Sequence, residues 1–133
     1  MASLADIETL ALAMPEVTKA VDDEGRPSYS FRDKVLCWHR SPRPDAVDAK
    51  GNRLEDVFVF RVPDLEVKEL ILSDDRGVFF TTPHWKGYPA VLIRIPHLRK
   101  LRKAEVRDLV EDAWLVRAPK RLANAWIAEH GEE

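Results

Sequence analysis

Cysteine is almost absent: the chain holds one, Cys37, so no disulfide can form within it. That fits a reducing compartment. Long hydrophobic runs are absent too, and stretches such as Ala90–Ile93 stop far short of the ~20 apolar residues that a membrane-spanning helix needs. The N-terminus has no basic region followed by an apolar core, so no secretion signal is expected. Histidine is sparse: His39, His84, His97 and His130 never pair at helical spacing. With one cysteine, they offer no zinc cluster. The sequence also lacks GxSxG, HExxH and any glycine-rich phosphate loop, which leaves the common hydrolase and nucleotidase motifs without a foothold. A formal net charge of −2 is unlike the strongly basic balance of a dedicated DNA-binding domain. The expectation is a cytoplasmic chain without cofactor, metal or membrane contact.

What is present is an ordinary folding composition. The 133 residues are 45% hydrophobic and 33% charged, enough for a single domain over residues 1–133 that buries about two-thirds of its unfolded surface. Charge is uneven along the chain. Residues 1–24 carry six acids against Lys19, a net of −5, and residues 94–121 carry nine bases against four acids, a net of +5. Such asymmetry marks an interaction face, or two opposed surfaces that meet inside the fold. There is no internal repeat and no linker.

The apolar positions predict an α-β-β-β-α-β-β-α-α order. A first helix runs from Ser3 to about Ala13 with Leu4, Ile7, Leu10, Ala11 and Met14 on one face, and Pro15 ends it. Gly25–Pro27 punctuates the chain before a strand at Tyr29 and Phe31; Lys34–Arg40 and Val57–Val62 follow as strands. Val57–Val62 places Phe58 and Phe60 on one face, Val57 and Val59 on the other. Ser41–Asp56, with two prolines and a glycine, reads as a long surface loop. Asp64 caps a second helix carrying Val67, Leu70 and Ile71, ended near Gly77. Val78–Thr82 and Ala90–Ile95 are strands around the turn Pro83–Pro89. Val106, Leu109, Val110, Ala113 and Trp114 mark the third helix. Pro119 opens the last, with Leu122, Ala125 and Trp126 on one side and Gly131 at its end. Consecutive strands imply hairpins, hence an α+β fold: an antiparallel five-stranded sheet with helices mainly on one face.

Three segments resemble the MmcQ/YjbR family of small bacterial proteins: Gly25-Arg26-Pro27-Ser28-Tyr29, the stretch Phe79–Leu92 that contains Thr81-Thr82-Pro83-His84-Trp85-Lys86-Gly87-Tyr88-Pro89, and Arg117–Leu122. The resemblance covers nearly the whole chain. It implies a two-layer α-β(3)-α-β(2)-α arrangement, similar to secretion-chaperone and frataxin-like folds. It also implies a DNA-binding, non-enzymatic role, by analogy between the sheet and a double-wing arrangement; it brings no catalytic residues.

The residues themselves offer several candidates. Cys37 and His39 lie two apart on a strand, but no third group orients the histidine, so a structural role is expected. Arg94, His97, Arg99, Lys100, Arg102, Lys103 and Arg107 form a basic segment able to contact phosphates. The alternative is a solvated face paired with Glu105, Asp108, Glu111 and the acidic N-terminal region. The turn holds Thr81, Thr82, His84, Trp85, Lys86 and Tyr88, suited to stacking bases or holding phosphate, or else a mere connection over the sheet edge. Trp38, Trp114 and Trp126 read as core. Lys120 and Arg121 fall in the first turn of the last helix, where cations are disfavoured. They therefore call for a negative partner: a phosphate shared with Thr82 and His84, or an internal acid such as Glu16 or Asp22. The expected partner is DNA, bound weakly, and the alternative is another protein, with the chain a monomer or weak homodimer.

Overall fold

A computed structural model describes residues 1–130. Its elements are α1 (Leu4–Leu12), β1 (Val17–Val21), β2 (Pro27–Phe31), β3 (Lys34–His39), β4 (Val57–Arg61), α2 (Leu65–Leu72), β5 (Phe79–Phe80), β6 (Ala90–Arg94), α3 (Lys103–Arg117) and α4 (Lys120–His130), with 3-10 helices at Pro83–Trp85 and Ile95–Lys100. The class is α+β as expected. The sheet, however, has six strands rather than five, in the order β1-β2-β3-β4-β6-β5 with every neighbour antiparallel.

The added strand is β1. It lies at the sheet edge, and only Val17 of its five residues is buried, so it lacks the apolar alternation by which a strand is recognised. The punctuation at Gly25 is the hairpin turn from β1 into β2. Asp22 Oδ1 accepts from Glu24 N–H and Arg26 N–H, both at 2.8 Å, and Gly25 supplies the positive φ of 84°. Between β2 and β3 the register shifts by one residue, so Leu36 is the extra residue of a bulge. Leu36 and its neighbour Cys37 consequently both enter the main core.

Helices form where caps and apolar faces coincide. Ser3 and Asp6 cap α1 reciprocally, and Asp64 Oδ1 accepts from Val67 N–H at 2.9 Å to start α2. Two expected helix faces are corrected. On α2, Leu70 is 70% exposed while Lys68 is 1% exposed; on α4, Ala123 is buried and Ala125 exposed. Gly131 lies outside the described residues. The expected strand Val78–Thr82 pairs only at Phe79 and Phe80, because Thr82 turns into the cap position of the first 3-10 helix.

The helices cover one sheet face. Phe31, Phe58, Phe60, Val91 and Ile93 meet Ile7, Val106, Val110 and Trp114 there. Trp114 is fully buried, edge-on to Phe31 at 5.9 Å, and its indole N–H donates to Pro15 O at 2.9 Å. The opposite face carries Val57, Val59, Ala90 and Leu92, roofed by Trp38, Leu54, Phe80 and Trp85. Among the described residues no α-helix contributes a side chain to this second cluster, and Trp85 of the first 3-10 helix does. The 41–56 loop folds back across it, closed by a Val47–Arg53 bridge and by Leu54 N–H donating to Ala46 O at 3.0 Å. No helix among the described residues is long and apolar enough to cross a membrane.

Candidate functional site

The turn from Thr81 to Tyr88 is held from beneath by a lysine. Lys68 reaches from α2 and its ammonium donates to the carbonyls of Trp85 at 2.5 Å and Tyr88 at 2.7 Å. Burial lowers the pKa of this ammonium, with the charge of Glu69 acting in the opposite direction. Pro83 opens the 3-10 helix, and Trp85 N–H donates to Thr82 O at 2.9 Å. Trp85 then sits among three rings: Tyr88 at 5.2 Å, His84 at 5.9 Å and Trp38 at 6.0 Å.

Beyond Tyr88 the surface turns cationic. Arg61, from the end of β4, donates through Nη1 to the Tyr88 hydroxyl at 2.6 Å. Its guanidinium carbon lies 4.6 Å from the Tyr88 ring centre, within cation–π range. Arg117, the last residue of α3, is next to this pair. Burial first, and the positive charge of Arg61 second, hold its pKa below the ordinary value. Among the described residues neither Arg61 Nε nor Arg117 Nε has a hydrogen-bond partner, although both atoms are buried. Lys120 and Arg121 follow at the exposed start of α4. Among the described residues Arg61, Lys86, Arg117, Lys120 and Arg121 form no ion pair. Repelling guanidiniums without an acid are stabilised by an anion between them.

On the other side of the turn a different group assembles. Arg40, just past β3, is 3% exposed. Its Nη1 donates to Asp45 Oδ2 at 3.0 Å, and Thr82 Oγ1 donates to the same oxygen at 2.8 Å. Burial works to raise the Asp45 pKa, but the hydrogen bonds from Arg40 and Thr82 outweigh it and keep the carboxyl below its usual range. Asp45 Oδ1 keeps an ion-pair contact with Arg40 Nη1 at 3.0 Å, while among the described residues Arg40 Nε and Nη2 and the Trp85 indole N–H are buried without hydrogen-bond partners. Each such group costs about 1–3 kcal/mol, more when charged. A cavity of about 320 Å³ lies here, lined by Arg40, Arg43, Pro44, Asp45, His84 and Trp85.

The candidates read from the sequence are thus dispersed. Within the basic segment, Arg94 clasps Asp56 through Nε and Nη2, Arg102 lies 3.7 Å from Glu105 and Lys103 3.7 Å from Asp6. Arg99, Lys100 and Arg107 are exposed and not ion-paired among the described residues. Arg99 and Lys100 precede α3 and Lys120 and Arg121 follow it, so a helix about 22 Å long separates the two groups. Thr82 faces Asp45, and no hydrogen bond joins Thr82 or His84 to Lys120 or Arg121 among the described residues. The two internal acids considered for Lys120 and Arg121 are engaged elsewhere: Glu16 with Arg32 and Asp22 with Arg26. Cys37 is buried, which pushes its thiol pKa up, and His39 donates from Nε2 to Glu55 O at 2.8 Å. Of the three tryptophans read as core, Trp114 is fully buried, whereas Trp38 and Trp126 are only half-buried, packed against the edges of the two clusters.

Sequence reasoning missed Arg40, Asp45, Arg61 and Lys68. Only Lys68 left a signal: it stands three and four residues before Ile71 and Leu72, on the apolar face of α2, where a lysine needs a buried partner.

No family model and no solved structure matches the chain. It is 39% identical over 103 residues to the uncharacterized protein Rv2570 of Mycobacterium tuberculosis (strain H37Rv) and, to the same extent, to the uncharacterized protein Mb2600 of Mycobacterium bovis. The matched region covers 74% of this chain and 78% of each relative. At that identity and coverage, the chain belongs to one family with these mycobacterial proteins.

Proposed function

We propose that the protein is a non-enzymatic cytoplasmic module that binds nucleic acid through its phosphates, in the manner that its resemblance to MmcQ/YjbR proteins implies. On this reading the fold is of the secretion-chaperone and frataxin-like kind, and the contact surface is the junction of α3 and α4 with the end of the Thr81–Tyr88 turn. One observation carries it: Arg61 and Arg117 stand together with Lys86, Lys120 and Arg121 nearby in sequence or space, and among the described residues no acid pairs with any of them. Of the ten arginines elsewhere in the chain, six are ion-paired, as at Arg32, Arg76 and Arg94, and among the described residues Arg43, Arg53, Arg99 and Arg107 are not; what sets Arg61 and Arg117 apart is that the two unpaired guanidiniums stand next to each other. Tyr88 adds a half-exposed ring able to stack on a base. The acidic N-terminal region supplies Asp6 to Lys103, so the end of α3 nearer Lys103 is the less available of the two. Electrophoretic shift of a short DNA or RNA at rising salt tests the reading. Binding at low salt that weakens steeply as salt rises is expected; no shift at low salt, or an affinity flat in salt, removes it.

A further inference from the structure

We propose that the cavity between the 43–45 stretch and the Thr81–Tyr88 turn binds a small monoanion carried on a flat ring, of the aromatic-carboxylate class, with the Nε–Nη2 edge of Arg40 as its receptor. The proposal stands apart from nucleic-acid binding and would survive its failure.

Two other arginines of this chain show what such an edge holds. Arg32 holds both oxygens of Glu16 through Nε and Nη2, at 2.7 and 3.1 Å. Arg94 holds both oxygens of Asp56 through the same two atoms. That edge of a guanidinium presents two parallel N–H groups matched to a carboxylate. In Arg40 the side chain is 4% exposed, and Asp45 is engaged through Nη1 instead. The matching edge therefore carries no partner among the described residues. Asp45 and Thr82 hold the guanidinium in place from behind, so its orientation is set before a ligand arrives.

The cavity indicates what the oxyanion is attached to. At about 320 Å³ it is far larger than a bare carboxylate and at the small end of ligand pockets. Trp85, His84 and Pro44 are among its lining residues, and the Trp85 and His84 rings touch edge to face, nearly perpendicular at 5.9 Å, so together they make an aromatic wall against which a flat ring can pack. The Trp85 indole N–H, out of solvent contact like the Arg40 edge and unpartnered among the described residues, becomes a further donor once that wall opens. Charge favours a monoanion: Arg40 and Arg43 against Asp45 leave one positive charge to balance. Arg40 Nε and Nη2 are out of solvent contact, so the ligand reaches them by a shift of the 43–45 stretch, where Ala46 N–H reaches Arg43 O at a long 3.4 Å.

Benzoate is the probe, with inorganic phosphate as its comparison, followed by two-dimensional NMR of the full chain. The Arg40 Nε–H and Trp85 indole N–H signals are assigned by their loss in Arg40→Lys and Trp85→Phe. The expected result is a saturable shift of both signals with a Kd of about 1 mM or tighter, and phosphate at least tenfold weaker. Arg40→Lys keeps a charge for Asp45 but loses the paired edge, and should weaken benzoate by about tenfold or more. If that variant does not fold, Trp85→Phe serves, keeping the wall and losing one donor for a several-fold weakening. The proposal is overturned if benzoate moves neither signal, if phosphate binds as tightly as benzoate, or if the folded variants bind benzoate as the parent does.

Discussion

Replacing Lys68 by methionine removes the ammonium that holds the turn and leaves a side chain of similar length in its place. Two charge-assisted hydrogen bonds are lost, to Trp85 O and Tyr88 O, each worth about 1.5–3 kcal/mol. The carbonyls are not orphaned, since Trp85 O still accepts from Tyr88 N–H and Tyr88 O from Ala90 N–H. Methionine returns about one methylene of apolar burial, or ~0.8 kcal/mol. The net expectation is a loss of about 2–5 kcal/mol, a large share of the ~5–15 kcal/mol that small domains possess. Urea unfolding of the two proteins gives the stability difference, and hydrogen exchange at the amides of Trp85, Lys86 and Tyr88 shows where it arises. Those amides should exchange much faster in the variant than in the parent, while the amides of α3 change only with global stability. A Lys68→Met protein as stable as its parent, with the turn still protected, would refute the idea that a buried cation organises this surface.

Trp114→Ala should cost about 3–5 kcal/mol, because a fully buried indole is deleted from between the sheet and the helices; a shift in urea midpoint worth under ~1 kcal/mol contradicts that packing. Acid should unfold the protein through its paired carboxylates. Hydrogen bonds from Arg76 pull Asp74 down to about 2; Glu16 and Glu105 are also lowered, chiefly by Arg32 and Arg76. A carboxyl with a folded pKa below its unfolded value contributes stability above about pH 4 and loses it as pH falls through the folded value. The melting temperature should therefore hold from pH 7 to 5 and fall between about pH 4 and 2, less steeply in Asp74→Asn. Burial raises the Glu111 pKa, which offsets a part of this; a melting temperature unchanged down to pH 2 would count against the pairs. Cys37, with its thiol buried and its pKa raised, should react slowly with a thiol reagent in the native protein and quickly once unfolded; fast native labelling would mean that the bulge beside it opens.

Much of the frame was legible because burial imposes period. Phe58 and Phe60 against Val57 and Val59 divide β4 between two cores as their alternation implies, and the apolar spacing of α3 matches its buried residues Val106, Val110, Ala113 and Trp114. The misses have physical causes. β1 is exposed along most of its length, so no alternation records it. The bulge at Leu36 puts two consecutive residues into one core, which a strict period of two forbids. The site was legible only in pieces. Lys120 and Arg121 stood out because cations are out of place in a first helical turn, but the arginine that joins them to the turn, Arg61, is a single charge at a strand end. Thr82 and Asp45 are 37 residues apart, and only the path of the 41–56 loop brings them together.

The most direct measurement is the salt dependence of nucleic-acid affinity in two double variants, followed by fluorescence anisotropy of a labelled short DNA. Lys120→Gln/Arg121→Gln removes two exposed cations beside Arg117, and Arg99→Gln/Lys100→Gln removes two exposed cations at the far end of α3. Each cation withdrawn from a phosphate should reduce the slope of log K against log salt by about 0.9 for duplex DNA. The first variant is expected to flatten the slope by up to ~1.8 and the second to leave it nearly unchanged. The opposite ranking, or equal slopes in all three proteins, would contradict the α3–α4 junction as the phosphate-binding surface.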